Sequence, residues 1–335
     1  MSPPVRAAAL PADLLALPAG EAARRIALAE LARAEAARAA LAAGEDPEAL
    51  HDFRVALRRL RSQVRAYRDE IARAMGRKLR RRLRRLAAAT NPGRDAEVGI
   101  ALLDELAGTA DAAERRAAEP LRARLVARRD EAYRALLADG LAEFDELAGR
   151  LRDRLASWTV EVRLDGGEDE RPRPFRAALG EELARHADRL LGALERLGRP
   201  PDPAAAHRAR IEAKRLRYLL EPVAPVLAPA REPVRGLREL QDLLGGANDL
   251  AVLAAELAAE AAEAERALVT STAAGGARRR RRGGRPGRAA LARGIAARRA
   301  ALWQEFEARW GDRPDGSARA LAAGLGELVE ALAET

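Results

Sequence analysis

A pattern near the start of the chain returns in its second half, and such a duplication limits the architecture before any single element is considered. Residues 50–61 read LHDFRVALRRLR and residues 206–217 read AHRARIEAKRLR. A shift of 156 residues superposes His51 on His207, Arg54 on Arg210, Arg58 on Lys214, Arg59 on Arg215 and Arg61 on Arg217. The chain holds 3 histidines, and two of them are matched in this way. Basic residues are 60 of 335, so four further basic matches in this order are improbable by chance. Two similar units in one chain are expected.

The units are expected to be helical. Segments rich in Ala, Leu, Arg and Glu carry helical spacing through nearly the whole sequence. Aromatic residues make up 3%, too few for a β-sandwich or barrel. Hydrophobic residues reach 48%, enough to build a core from Ala, Leu and Val. Breakers divide the first half into helices over 21–43, from Asp46-Pro47 to about 74, over 77–89, and from about 95 to 158. Asn91-Pro92-Gly93 is expected to stop the third. The second half predicts helices over 175–197, 204–220, 232–244, 249–269, 289–310 and 317–333. Asp95 and Asp249 are expected N-caps. Trp158, Trp303 and Trp310 are expected to anchor the core or the bundle ends.

The resulting domain plan has an N-terminal extension over 1–19 and a first helical repeat over 20–158. A Gly-, Pro- and acid-rich linker follows over 159–174, its TVEVRL stretch at most an isolated strand. The second repeat covers 175–333. Within it, residues 275–288 (GGARRRRRGGRPGR) read as a basic loop kept disordered by glycine and like-charge repulsion.

Placement of the basic residues matters more than their number. His51, Arg54, Arg58 and Arg61 step by 3, 4 and 3, as do His207, Arg210, Lys214 and Arg217, so each set shares one helix face. The first stripe continues through Arg65 and Arg68. Beside it runs an apolar stripe of Leu50, Phe53, Leu57, Leu60, Val64 and Tyr67, so the cations border a buried seam. A second register, shifted by 154, puts Arg77 on Arg231, Arg81 on Arg235 and Arg84 on Arg238, again on one face. Paired helices that turn these stripes inward would line a cationic channel. Cations so spaced repel unless an anion or carboxylates offset them.

Several chemistries are excluded or unsupported. Without cysteine there are no disulfides, thiol nucleophiles or Cys-ligated metals. The histidines do not form an HExxH helix, and no GxxxxGK[ST] or GxGxxG motif occurs. No run of 18 apolar residues occurs. The first twenty residues lack a signal peptide's continuous apolar core, so a cytoplasmic protein is expected. Neither a metal, a cofactor nor a catalytic group is expected. His186, without a counterpart histidine, reads as structural.

HDFRVALRRLRS at 51–62, HRARIEAKRLRYLLE at 207–221 and LRELQDLLGGANDL at 237–250 resemble the CHAD family, the conserved histidine α-helical domain. The resemblance covers about residues 20–333. It implies an all-α fold of two pseudo-symmetric bundles around a basic channel that binds inorganic polyphosphate. Carried over to this chain, it assigns His51, Arg54, Arg58, Arg59, Arg61, His207, Arg210, Lys214, Arg215 and Arg217 to that channel. Continuation of the first stripe adds Arg65, and the second register of the repeat adds Arg77, Arg81, Arg84, Arg231, Arg235 and Arg238. One departure is TNPGRD at 90–95, where the family usually has Leu-Gly before a loop ending Arg-Asp. No ExExK pattern of a fused triphosphatase-like barrel occurs, so the stand-alone form is expected.

Arginine suits a phosphate polymer, because its planar fork bonds two oxygens and stays charged. The implied role is non-catalytic binding of polyphosphate, docking on or organising cytoplasmic polyphosphate granules with other granule-associated proteins. The alternative is a nucleic-acid or general polyanion binder, since charge alone does not distinguish phosphate polymers. Gln63, Tyr67 and Tyr218 are the side chains near the stripes that would read bases.

Overall fold

The computed structural model describes residues 10–43, 48–72, 74–108, 111–157, 172–199, 201–272, 284–311 and 316–334. It is all-α, with helices α1 (Ala19–Ala43), α2 (Ala49–Ala66), α3 (Arg77–Ala89), α4 (Asn91–Gly108), α5 (Ala112–Ala135) and α6 (Leu141–Ala156) in the first half. A π-helical turn, Leu136–Gly140, joins the last two. The second half has α7 (Phe175–Glu195), α8 (Pro203–Leu220), α9 (Arg231–Thr272), α10 (Gly284–Trp310) and α11 (Ser317–Ala333). Among the described residues the β pairing is one isolated bridge, Pro18 to Pro174. The TVEVRL stretch and Trp158 lie outside the described residues.

Local chemistry explains the helix ends. Asp202 caps α8 by accepting from Ala204 N at 3.2 Å and Ala205 N at 2.8 Å, with Pro203 in the first turn. Asp111 caps α5 by accepting from Ala113 N at 2.6 Å and Glu114 N at 2.8 Å, and the Glu114 carboxylate accepts from Asp111 N at 2.8 Å. Those bonds hold the Asp111 carboxyl below its ordinary range.

Three expected boundaries are overridden by packing. Asn91-Pro92-Gly93 opens α4, where proline in a first turn loses no helical hydrogen bond. Gly93 is needed there: a Cβ would stand 2.5 Å from Tyr133 Cε1 on α5. The helices expected over 232–244 and 249–269 are one helix, α9, which continues through Gly245 and Gly246. Asp95 and Asp249 accordingly lie inside α4 and α9 and cap neither. Finally, residues 284–288 of the expected basic loop are the first turn of α10, while 275–283 lie outside the described residues.

The chain divides into two compact units, and these are not its sequential halves. One unit comprises Met1–Ala89, Leu136–Glu239 and Ser317–Thr335; the other comprises Thr90–Ala135 and Leu240–Gly316. Each half contributes its first three helical segments and its last to the first unit, and the intervening two to the second. Most of the expected linker, residues 159–171, lies outside the described residues.

The core of the first unit holds Phe53 edge-on to Phe144 at 4.9 Å and Tyr67 tilted on Phe175 at 5.1 Å. Alanines at 22, 23, 27 and 34 are buried along α1, which lets α2 approach closely. The second unit packs Ile100, Leu103, Leu121 and Leu125 against Leu250, Leu253, Leu257, Leu291 and Ile295. Trp310 is buried and Trp303 half-buried, stacked edge-on with Phe306 at 5.6 Å.

Gly287 shows how tightly α10 meets α5: a Cβ there would lie 2.4 Å from the Ala113 carbonyl oxygen. Backbone cannot swing aside, so Gly287→Ala should destabilise by about 1–3 kcal/mol despite its better helix propensity. Thermal unfolding of the variant checks this; an unchanged or raised Tm would contradict the packing.

Candidate functional site

The site is built in the first unit, where α2, α7 and α8 meet. Phe53, Leu57, Leu60 and Val64 are buried along α2, so the basic stripe is carried at the edge of the core, as its spacing predicts. On α8, Ala205, Ala209 and Ala213 are buried and allow close approach of both neighbours. Two contacts fix α2 against the C-terminal end of α8. The Gln63 side-chain amide donates to the Tyr218 carbonyl, and Arg59 donates to the Glu221 carboxylate at 2.9 Å.

Between these helices lies a cavity of about 670 Å³. Arg61, Arg65 and Arg68 line it from α2 and the turn that follows, and Arg185, His186 and Arg189 from α7. Arg210, Lys214, Arg215 and Tyr218 line it from α8. A second cavity, of about 950 Å³, shares Arg61, Arg65 and Arg68 and adds Arg77, Lys78, Arg80, Arg81 and Arg84 from α3.

The cations divide by partner. Among the described residues, Arg58, Arg61, Arg65, Arg210 and Lys214 pair with no carboxylate, and the buried Nε atoms of Arg58 and Arg210 have no hydrogen-bond partner. Lys214 Nζ stands 5.9 Å from the centre of the Tyr218 ring. Burial first, and then the charges of Arg58, Arg210, Arg61 and Arg217, push the Lys214 ammonium down to about 7. Burial likewise lowers Arg61, with Arg58, Arg65 and Arg84 adding repulsion. These are positive charges gathered without internal compensation.

Other predicted residues are already engaged. Arg59, Arg217 and Arg238 converge on Glu221 at 2.9, 2.7 and 3.5 Å. Arg215 pairs with Glu212, and the exposed Arg235 pairs with Glu232. Arg54 is buried at 3% exposure. His51, His207 and Arg231 are exposed and line neither cavity.

His186 is buried, and its Nδ1 hydrogen-bonds Glu212, with Nε2 3.6 Å from Glu182. Burial opposes ionisation of Glu212, but His186, Arg215 and Arg189 outweigh it and hold its carboxyl below the ordinary range. The residue thus orders the wall of the cavity.

A family model for the CHAD domain matches residues 25–258. The chain belongs to the CHAD domain family. The crystal structure of the CHAD domain from the plant Ricinus communis is similar at 25% identity and a TM-score of 0.60, covering 97% of each chain. PptA from Streptomyces chartreusis shares the fold at 17% identity and a TM-score of 0.51, over 94% of this chain and 100% of that one. No curated protein matches the sequence.

Sequence reasoning about this CHAD chain missed the contribution of α7. Arg185 and Arg189 stand one turn apart beside His186. A signal existed, because the same shift of 156 places Arg189 on Arg33 and His186 on Glu30. A search restricted to matching histidines passes over it.

Proposed function

We propose that this CHAD chain binds inorganic polyphosphate non-covalently, in the cavity of α2, α7 and α8 and onward along the basic face of α3. The observation that carries the reading is the set of four cations lining one cavity, Arg61, Arg65, Arg210 and Lys214, which with Arg58, whose charge acts on Lys214, have no carboxylate partner among the described residues. A polymer with a charge on every phosphate relieves their mutual repulsion along its length. Arg59, Arg215, Arg217 and Arg238 hold the walls through Glu212 and Glu221 and add positive potential. His51 and His207 continue the stripes outward, Arg54 is buried on α2 between His51 and Arg58, and Arg77, Arg81 and Arg84 extend the track on α3, with Arg231 and Arg235 as peripheral charges.

The reading is of a binding protein, not an enzyme. Carboxylates at the cavity are occupied: Glu182 with Arg185, Glu212 with Arg215 and His186, Asp69 with Arg68. Docking on cytoplasmic polyphosphate granules, or linking them to other proteins, is the cellular role such binding would serve.

Base recognition receives little support. Tyr67 and Tyr218 are buried, and the Gln63 amide is spent on the Tyr218 carbonyl. Little is left to stack on or read a base. A competition titration tests the distinction. Labelled long-chain polyphosphate, bound at several salt concentrations, is challenged with duplex DNA, single-stranded RNA and pyrophosphate. Polyphosphate should compete at least about tenfold better per phosphate than either nucleic acid near physiological salt, with affinity falling steeply as salt rises. Equal competition per phosphate would make the chain a general polyanion binder.

A further inference from the structure

Lysine is rare in this chain: Lys78 and Lys214 are the only two among 60 basic residues. They sit in different surroundings. Lys78 is exposed on α3, at the rim of the second cavity. Lys214 is half-buried in the wall of the first, with no carboxylate partner among the described residues. Facing it are Arg58 and Arg61 from α2, with Arg210, Arg217 and Tyr218 on α8 itself. From α7 the same cavity receives Glu182, Arg185, His186 and Arg189, with Glu182 engaged by Arg185.

An amine held this way has two properties that are seldom combined. Burial, and then neighbouring positive charge, favour its unprotonated form near neutrality, which is the nucleophilic form. The guanidinium groups around it hold phosphoryl oxygens. We propose that Lys214 is an acylation site for acyl phosphates, whose phosphoryl group docks on Arg61 and Arg210 beside the amine.

The Nζ lone pair attacks the carbonyl carbon, the N–C bond forms, and the C–O bond to phosphate breaks. Inorganic phosphate leaves on the guanidinium groups, where its negative charge is stabilised. The surplus amine proton passes to the departing phosphate or to water. The product is a neutral amide, so acylation removes one cation from the cavity for good. The inference rests on the cavity's taking phosphoryl groups, the property the polyphosphate reading also uses.

The native chain supplies its own control in Lys78. It is incubated with acetyl phosphate at pH 7.5, without polyphosphate, and acetylation at each lysine is followed by peptide mass spectrometry. A parallel reaction uses acetic anhydride, which has no phosphoryl group to dock. Lys214 should react at least about tenfold faster than Lys78 with acetyl phosphate. That preference should exceed the one seen with anhydride and should fall when tripolyphosphate is added. Equal rates at the two lysines, or a preference no larger than with anhydride, would overturn the assignment. Normal polyphosphate affinity with no lysine selectivity would sink the acylation site alone. Selectivity without polyphosphate affinity would sink the polyphosphate reading alone.

Discussion

Replacing Arg58, Arg61, Arg210 and Lys214 together with glutamine should weaken polyphosphate binding about a thousandfold near physiological salt. At roughly 1 kcal/mol for each charge-assisted contact, four losses amount to about 4 kcal/mol, and 1.4 kcal/mol is tenfold. The salt dependence should flatten as well. Each neutralised phosphate contributes about 0.7 to the logarithmic slope for a single strand, so four lost contacts remove about 3 from it. The fold should survive, because these four side chains pair with no carboxylate among the described residues and repel one another. Circular dichroism would show unchanged helicity. A folded variant that still bound normally, with its salt slope intact, would place the polymer elsewhere.

Lys214 alone should move stability and affinity in opposite directions. Its proton is held only below about 7 in the empty folded chain, against an ordinary value of 10.5. Below about 7 it is charged in both folded and unfolded states, and the folded state bears the full cost of a buried cation among guanidinium groups. Between about 7 and 10.5 the unfolded chain binds more protons, so this group makes stability rise with pH across that window. Lys214→Met should therefore stabilise the ligand-free protein at pH 6 by about 1–3 kcal/mol, an advantage that disappears toward pH 10.

Binding should run the other way. A bound polyanion favours the ammonium, so complex formation above pH 7 should take up as much as about one proton, and affinity should fall as pH rises. Calorimetric titration in two buffers of different ionisation heat measures that uptake. Lys214→Met should bind more weakly at pH 6 and show no Lys214-linked proton. An unchanged proton count in the variant would remove Lys214 from the linkage.

Much of this was legible in the sequence, for physical reasons. The α2 and α8 stripes follow from helical spacing, and their nearness to the core follows from the apolar stripe beside them. Gly245-Gly246 and Asn91-Pro92-Gly93 misled, because local breakers weigh about 1 kcal/mol per glycine and packing exceeds that. Leu302 lies 3.0 Å from where a Gly246 Cβ would be, and Tyr133 closes on Gly93, so both glycines serve close helix crossings. The capture of Arg59 by Glu221 was not legible at all. It joins residues 162 positions apart, and no spacing rule reaches that far.

The interleaving of the two halves also has a consequence for how the chain is made. Emerging from the ribosome, α1, α2 and α3 belong to a unit that is finished only when Ser317–Thr335 appear. The intervening unit likewise draws on α4 and α5 early and on α9 and α10 late. Neither can close while only the first half has been synthesised. Translation thus exposes apolar helix faces until α11 emerges, and such long-range closure is slow and open to aggregation. A nascent chain of this design has reason to engage a chaperone until α11 is released.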